Sequence, residues 1–105
     1  MVTCTEIAQA AKKLVLEGGL GKRDAVVAVD AATEEVRFTY RAALTGEEHA
    51  ILDGEGLALL ANLVSDQPAE KIAQEIEEVF QTHPDLLREV RLSLHTLGLE
   101  LKCTK

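Results

Sequence analysis

The chain has 105 residues, of which 47% are hydrophobic and 28% are charged, and its formal net charge is −7. A chain of this length can bury a core without a metal or a disulfide to hold it, so we expect a single domain over residues 1–105. The balance of apolar and charged residues is typical of a globular protein and argues against a disordered or membrane-embedded chain.

The first predicted element is an amphipathic helix from about Thr5 to Glu17. Thr3 or Thr5 can supply the oxygen that caps its first N–H groups. Gly18 and Gly19 are predicted to end it, because glycine adopts the left-handed conformation after a helix without a Cβ clash. The apolar side chains that follow helical spacing are Ile7, Ala11, Leu14 and Val15.

Two runs of residues predict an antiparallel hairpin, Ala25 to Asp30 and Val36 to Leu44, joined by a short polar connection. The first run has no polar residue between its valines, which is typical of a central strand or one covered on both sides. Residues 49–53 are predicted to form a third short strand. The outer face of the second run is expected to carry Arg37, Thr39 and Arg41.

The segment from Glu55 to Val64 is predicted to be a helix that is apolar nearly all round. Such a helix needs burial on more than one side. In a domain this small, a second copy of the chain would cover part of that surface, and we therefore expect a homodimer.

A further helix is predicted from Pro68 to about Thr82, because proline is well tolerated in the first helical turn. It is expected to end at His83, since the residue before Pro84 is pushed out of the helical region. Its apolar stripe contains Ile72, Ile76, Val79 and Phe80. Its polar side chains, predicted to stay in water, are Glu70, Gln74, Glu75, Glu77, Glu78 and Gln81.

The residues after Pro84 allow two interpretations. Apolar and polar residues alternate over 90–95, and the alternation resumes over 97–103 after a slip of one residue, a pattern typical of strands. A helix starting near Pro84 would also fit, but it would leave Leu92 and Leu99 exposed. We therefore favour one bulged strand or two strands, added to the sheet of the hairpin.

The order of predicted elements is a helix, two or three strands, two helices, and one or two closing strands. This order predicts an α+β fold in which helices pack on one face of a mainly antiparallel sheet of three to five strands.

The negative charge is concentrated in the middle of the chain. Residues 42–87 hold ten acidic residues and one basic residue, a net charge of −9, and the rest of the chain has a net charge of +2. This distribution disfavours a phosphate backbone as ligand, so we expect no nucleic-acid partner. The acidic residues either keep the domain soluble or meet a cationic partner surface.

No segment has the features of a secretory signal, and the longest apolar run is too short to cross a bilayer. We therefore expect a cytoplasmic protein without a membrane partner. Its two cysteines, Cys4 and Cys103, form no Cys-x-x-Cys pair, and in a reducing compartment we expect two free thiols. A disulfide between them or an intermolecular link is the alternative.

The densest group of polar residues lies between Thr45 and Gly56. An imidazole and carboxylates of this kind bind divalent ions or act as acid and base, although their spacing matches neither His-Glu-x-x-His nor a calcium loop. The glycine-rich loop at 18–23 lacks P-loop spacing, so it is predicted to be a turn, with anion binding through Lys22 and Arg23 as the alternative. The candidate ligand-binding residues of the polar group are Glu47, Glu48, His49, Asp53 and Glu55.

No family motif matches the sequence position by position, and no residue is assigned a catalytic role. The leading hypothesis is a non-enzymatic protein-interaction module, adaptor-like or chaperone-like, that is homodimeric and holds no cofactor or metal. It would bind a partner protein through its acidic helix or a sheet edge. The alternative is a small ligand-binding, metal-binding or enzymatic domain centred on residues 45–56. The candidate partner-binding residues are Glu70, Glu75, Glu77, Glu78, Arg91 and His95.

Overall fold

The computed structural model describes residues 1–18 and 24–103, and these residues form four α-helices, a three-stranded antiparallel sheet and a small parallel sheet. The predicted α+β class is confirmed, whereas the strand order is only partly as predicted. A π-helical turn, Leu14–Gly18, follows the first helix, and a 3-10 turn, Arg41–Ala43, follows the third strand. The elements in chain order are β1 (Val2–Thr3), α1 (Cys4–Lys13), β2 (Ala25–Asp30), β3 (Val36–Tyr40), β4 (Glu48–Asp53), α2 (Gly54–Ala61), α3 (Ala69–Thr82), α4 (Pro84–Thr96) and β5 (Leu101–Lys102).

Helix α1 begins where the sequence predicts, because Thr3 and Glu6 form a capping box. The backbone N–H of Glu6 donates to Thr3 Oγ1 at 3.2 Å, and the backbone N–H of Thr3 donates to Glu6 Oε1 at 3.1 Å. Two N–H groups that would otherwise lack a partner are thereby satisfied. The π-helical turn runs to Gly18, the first of the two glycines predicted to end the helix. Gly19 and the alternative anion-binding residues Lys22 and Arg23 fall in residues 19–23, outside the described part of the chain.

The three-stranded sheet has the order β3-β2-β4, and the predicted hairpin and third strand are both confirmed. Strand β2 is the central strand, and its residues from Ala25 to Val29 are all buried. Val27 pairs with Leu52 but Ala28 pairs with Ala50, so β4 carries one extra residue there as a β-bulge.

The outer face of the sheet differs from the prediction at two positions. Arg37 is exposed as expected, but Thr39 is buried, because the Arg37 guanidinium lies beside it and donates to its Oγ1 at 3.3 Å. Arg41 lies in the 3-10 turn rather than in β3 and forms an ion pair with Asp53 at the end of β4. Arginine side chains therefore cover part of this face.

Helix α2 is covered on more than one side by the chain itself. Leu57 and Leu60 are buried in the core, and Leu59 and Leu63 are half-buried. The burial that the sequence pattern demands is thus met within one copy, and it does not require the second copy on which the homodimer prediction rested.

Helix α3 packs against α1 and has nearly the predicted bounds. Its stripe is buried as predicted at Ile72, Ile76 and Phe80. The prediction that Glu77 stays in water is wrong, since only 8% of this residue is exposed. Glu77 lies four residues after Ala73, which is also buried, so it belongs to the edge of the stripe that faces α1.

The segment predicted as closing strands is mainly helix, and the strand interpretation is wrong for residues 90–96, which belong to α4. Val90 and Leu94 are fully buried on one side of α4, whereas Leu92 is 58% exposed. An alternating pattern includes pairs of apolar residues four apart, and these share a face in a helix as well. The helical conformation leaves Leu92 as the one exposed leucine of α4.

Gly98 ends α4 in a Schellman motif, which explains the slip in the alternation. Its φ is +77°, and its N–H donates to the His95 carbonyl at 2.9 Å. The N–H of Leu99 donates back to the Leu94 carbonyl at 2.9 Å, and these two bonds satisfy carbonyls at the helix end. The reversal returns Leu99 to the core, so the expected exposure of Leu99 in a helical tail does not occur.

The last strand joins the N-terminal segment rather than the hairpin. Strands β5 and β1 pair in parallel, with Val2 opposite Leu101. The free-thiol prediction is wrong, because Cys4 and Cys103, directly after these strands, form a disulfide with their Cα atoms 5.4 Å apart. Among the described residues there is no free cysteine.

Candidate functional site

The five polar residues predicted between positions 45 and 56 do not converge on one point. Strand β4 places Glu48 and His49 on opposite faces, since consecutive strand residues alternate. Glu48 and Asp53 lie at opposite ends of the same strand, roughly 15 Å apart for five residues of extended chain. Glu47 precedes the strand and Glu55 lies in the first turn of α2, and both are exposed.

Two of these carboxylates form ion pairs across the central strand. Arg37 Nε on β3 lies 3.4 Å from Glu48 Oε1 on β4, and Arg41 pairs with Asp53. Among the described residues, the other oxygen of Glu48, Oε2, is buried and has no hydrogen-bond partner. These carboxylates therefore hold the outer strands together over β2, rather than surrounding a shared ligand.

The acidic residues predicted to bind a partner are divided by burial. Glu70 and Glu78 are exposed on α3, Glu75 is half-buried, and Glu77 points toward α1. Glu70 and Glu78 are therefore the most accessible of these charges.

A groove of about 580 Å³ runs along the outer side of α4. We call it the α4 groove. Pro84 stands at one end, and the turn after α4 and strand β5 close the other end. Its apolar lining consists of Leu87, Leu92, Leu99 and Leu101. Its charged and polar lining consists of Arg88, Arg91, His95 and Glu100.

The two guanidinium groups and the imidazole share one stripe because they stand three and four residues apart in a helix. Arg88 lies 3.5 Å from Asp85, and both side chains are highly exposed, so water screens this pair. Within the described part of the chain, Arg91 and His95 form no ion pair, so their donors are available in the α4 groove. The structure thus brings together these two predicted residues, and it places them apart from the acidic face of α3.

Exposed Leu92 adds an apolar element between these polar groups. Leu92 and Arg88 were missed by the sequence reasoning, because a strand places Leu92 on the buried face. The helical signal was nevertheless present, since residues 84, 88, 91, 92 and 95 follow helical spacing. An apolar floor with two guanidinium groups at its rim can hold a segment that carries both apolar side chains and carboxylates.

A second group of side chains that can bind a metal lies where β1 and β5 end, next to α3. Cys4, Glu77 and Cys103 each place one sulfur or carboxylate oxygen within 4.8 Å of the others. Cys4 and Glu77 are buried, and Cys103 is half-buried. Among the described residues this is the one group of three Cys, His, Asp or Glu side chains close enough to share a metal ion.

The chain matches no protein-family model, no curated protein and no solved structure. None of the helices in residues 1–18 and 24–103 is both long enough and apolar enough to cross a bilayer.

Proposed function

We propose that the protein is a non-enzymatic interaction module that binds an acidic, partly apolar segment of a partner protein in the α4 groove. The observation that carries this proposal is the combination of exposed Leu92 with Arg88, Arg91 and His95 along one helix face. The chain as a whole is acidic, with a formal net charge of −7, whereas the α4 groove is lined by two arginines and one carboxylate, Glu100, and is therefore a local excess of positive charge.

Charge complementarity supports an acidic occupant. Arginine presents several N–H donors in a planar fork that matches a carboxylate, and such pairs direct both the orientation and the rate of association. Large apolar side chains supply the attraction, since binding energy at interfaces concentrates in a few desolvated anchors. Leu87, Leu99 and Leu101 form the floor on which such an anchor would rest.

Two synthetic peptides of equal length and equal leucine content test this proposal by NMR titration of the protein. One peptide carries glutamate at its charged positions and the other carries lysine. We expect the glutamate peptide to shift the backbone amide signals of residues 84–101, and to do so less as salt is added. The lysine peptide should leave these signals unchanged.

Single charge reversals locate the site. Arg91→Glu should weaken binding of the glutamate peptide roughly tenfold, because it removes a donor and adds a repelling charge. Lys71→Glu is the matched control, since it changes the net charge equally but lies on α3 outside the α4 groove. Leu92→Ala should also weaken binding, because it removes the apolar contact without changing the charge.

Three outcomes would overturn the proposal. The first is the absence of shifts in residues 84–101, and the second is equal shifts with both peptides. The third is a set of shifts in the same residues that depends on protein concentration without any peptide. That result would mean that a second copy of the chain occupies the α4 groove.

A further inference from the structure

We propose that the reduced form of the protein binds one Zn²⁺ ion through Cys4, Cys103 and Glu77. These residues come from three separate parts of the chain: the first turn of α1, the residue directly after β5 and the middle of α3. Their ligand atoms all lie within 4.8 Å of one another. Thiolate sulfur and carboxylate oxygen are ligands that Zn²⁺ accepts in tetrahedral sites.

Two backbone contacts besides the disulfide bring these atoms together. In the parallel pairing of β1 with β5, Thr3 lies opposite Lys102. Cys4 directly follows Thr3 and Cys103 directly follows Lys102, so the two cysteines are also neighbours. Packing of α1 against α3 brings Glu77 to the same point, and only 8% of Glu77 is exposed. A reduced protein that keeps its fold therefore keeps the three ligands as neighbours.

Conversion of the disulfide form to the dithiol form is a two-electron reduction. A dithiol reductant supplies two electrons and two protons, the bond between the two sulfurs breaks, and the reductant becomes a disulfide. Zinc binding then releases the two thiol protons to solvent, because the thiolate is the ligand. Cys103 and Cys4 need only separate until their sulfurs are about 3.7 Å apart, as tetrahedral bonds of about 2.3 Å require.

The partial exposure of Cys103 allows its sulfur to move away from that of Cys4 and lets a water molecule serve as the fourth ligand. Cys4 is fixed in a buried helical turn, whereas Cys103 is half-buried and follows a strand of only two residues. Cys103 is therefore the residue that moves, and a water molecule can reach the ion from its side. Three protein ligands and one water give the open type of zinc coordination.

Cobalt(II) is the probe, because its thiolate complexes absorb in the near-ultraviolet and visible range, where those of zinc do not. We expect the reduced protein to bind one cobalt ion with a thiolate-to-metal charge-transfer band, which zinc then removes by competition. The oxidised protein should show no band. Reduced Cys103→Ser should lose most of the band. Glu77→Gln should weaken binding by at least about tenfold, since one of three protein ligands is lost.

Glu78→Gln is the matched control, because Glu78 is the next residue on α3 and is exposed; its cobalt affinity should equal that of the original protein. Far-ultraviolet circular dichroism follows the fold in each form. If reduction unfolds the metal-free protein, added zinc should restore the helical signal. The proposal is overturned if the reduced protein gives no thiolate band and no refolding, or if Glu77→Gln binds cobalt as tightly as Glu78→Gln.

Discussion

Leu92 and Leu94 stand two residues apart in the sequence and have opposite environments: Leu94 is fully buried beneath α4, and Leu92 is 58% exposed on its outer side. In a strand, both side chains would share one face. Their opposite burial therefore identifies the segment as a helix. The same conformation places Leu92 in the lining of the α4 groove.

Alanine substitutions at these two leucines should differ strongly in their effect on stability. Leu94→Ala should lower the free energy of unfolding by about 2–5 kcal/mol, because it leaves a cavity in the core. Leu92→Ala should change it by less than about 0.5 kcal/mol, as is usual for exposed positions. Urea denaturation of both variants measures the difference, and equal losses would contradict the helical conformation of 84–96.

Gly98→Ala should lower the free energy of unfolding by about 1–2 kcal/mol, because an L side chain resists the left-handed conformation. The φ of +77° at Gly98 is required by the Schellman motif that ends α4. Gly46→Ala is the control, since a Cβ meets no atom within 4 Å at either position but Gly46 does not have a positive φ. Thermal unfolding compares the two variants, and an unaffected Gly98→Ala protein would argue against this helix end.

Thr3→Ala should cost about 1 kcal/mol of stability by removing the oxygen that caps α1. Thr3→Ser keeps a hydroxyl that can accept from the N–H of Glu6, so it should retain most of that stability. Denaturant midpoints of the two variants provide the measurement. A loss of the same size in Thr3→Ser would show that the methyl group, and not the cap, is responsible.

Reduction of the Cys4–Cys103 disulfide in the presence of a metal chelator should lower the free energy of unfolding by about 3–5 kcal/mol. In the chain-entropy account, the effect of a cross-link grows with the loop that it closes, and here the two cysteines are 99 residues apart. Urea denaturation with and without a dithiol reductant measures the loss. Cys103→Ser has no disulfide to lose, so its free energy of unfolding should be the same with and without the reductant.

Arg37→Met should lower the free energy of unfolding by about 1 kcal/mol, because it leaves the buried carboxylate of Glu48 without its ion-pair partner. Arg37 is itself 45% exposed, so solvent screening keeps the loss small. Arg88→Met is the matched control. Its pair with Asp85 is almost wholly in water, and its removal should leave stability unchanged. Equal effects of the two substitutions in urea denaturation would contradict the structural role of the Glu48 pair.

Much of the fold follows from local patterns in the sequence. The short run of β-branched valines in β2 predicts a central strand, and the stripe at Ile72, Ile76 and Phe80 follows the helical period and predicts α3. The capping threonine of α1 acts within a single turn of helix, so its effect is also visible in the sequence.

The candidate site was less predictable, because its parts depend on contacts between distant residues. The sequence predicts Arg91 and His95 as partner-binding residues, but the groove that they line exists only if Leu92 points away from the core. The alternation around them fits a strand and, through residues four apart, also fits a helix. The neighbouring elements that cover Val90 and Leu94, and leave Leu92 in water, decide between the two.

By itself, the sequence determined the α+β class, the hairpin, and the helices up to His83. Only the tertiary structure decided the conformation of the tail, the pairing of Cys4 with Cys103, and the burial of Glu77. The reason is physical: hydrophobic period and helix caps act over a few residues, and a sequence displays them directly. A disulfide, a buried carboxylate or an exposed leucine depends on which surfaces meet after the chain has folded.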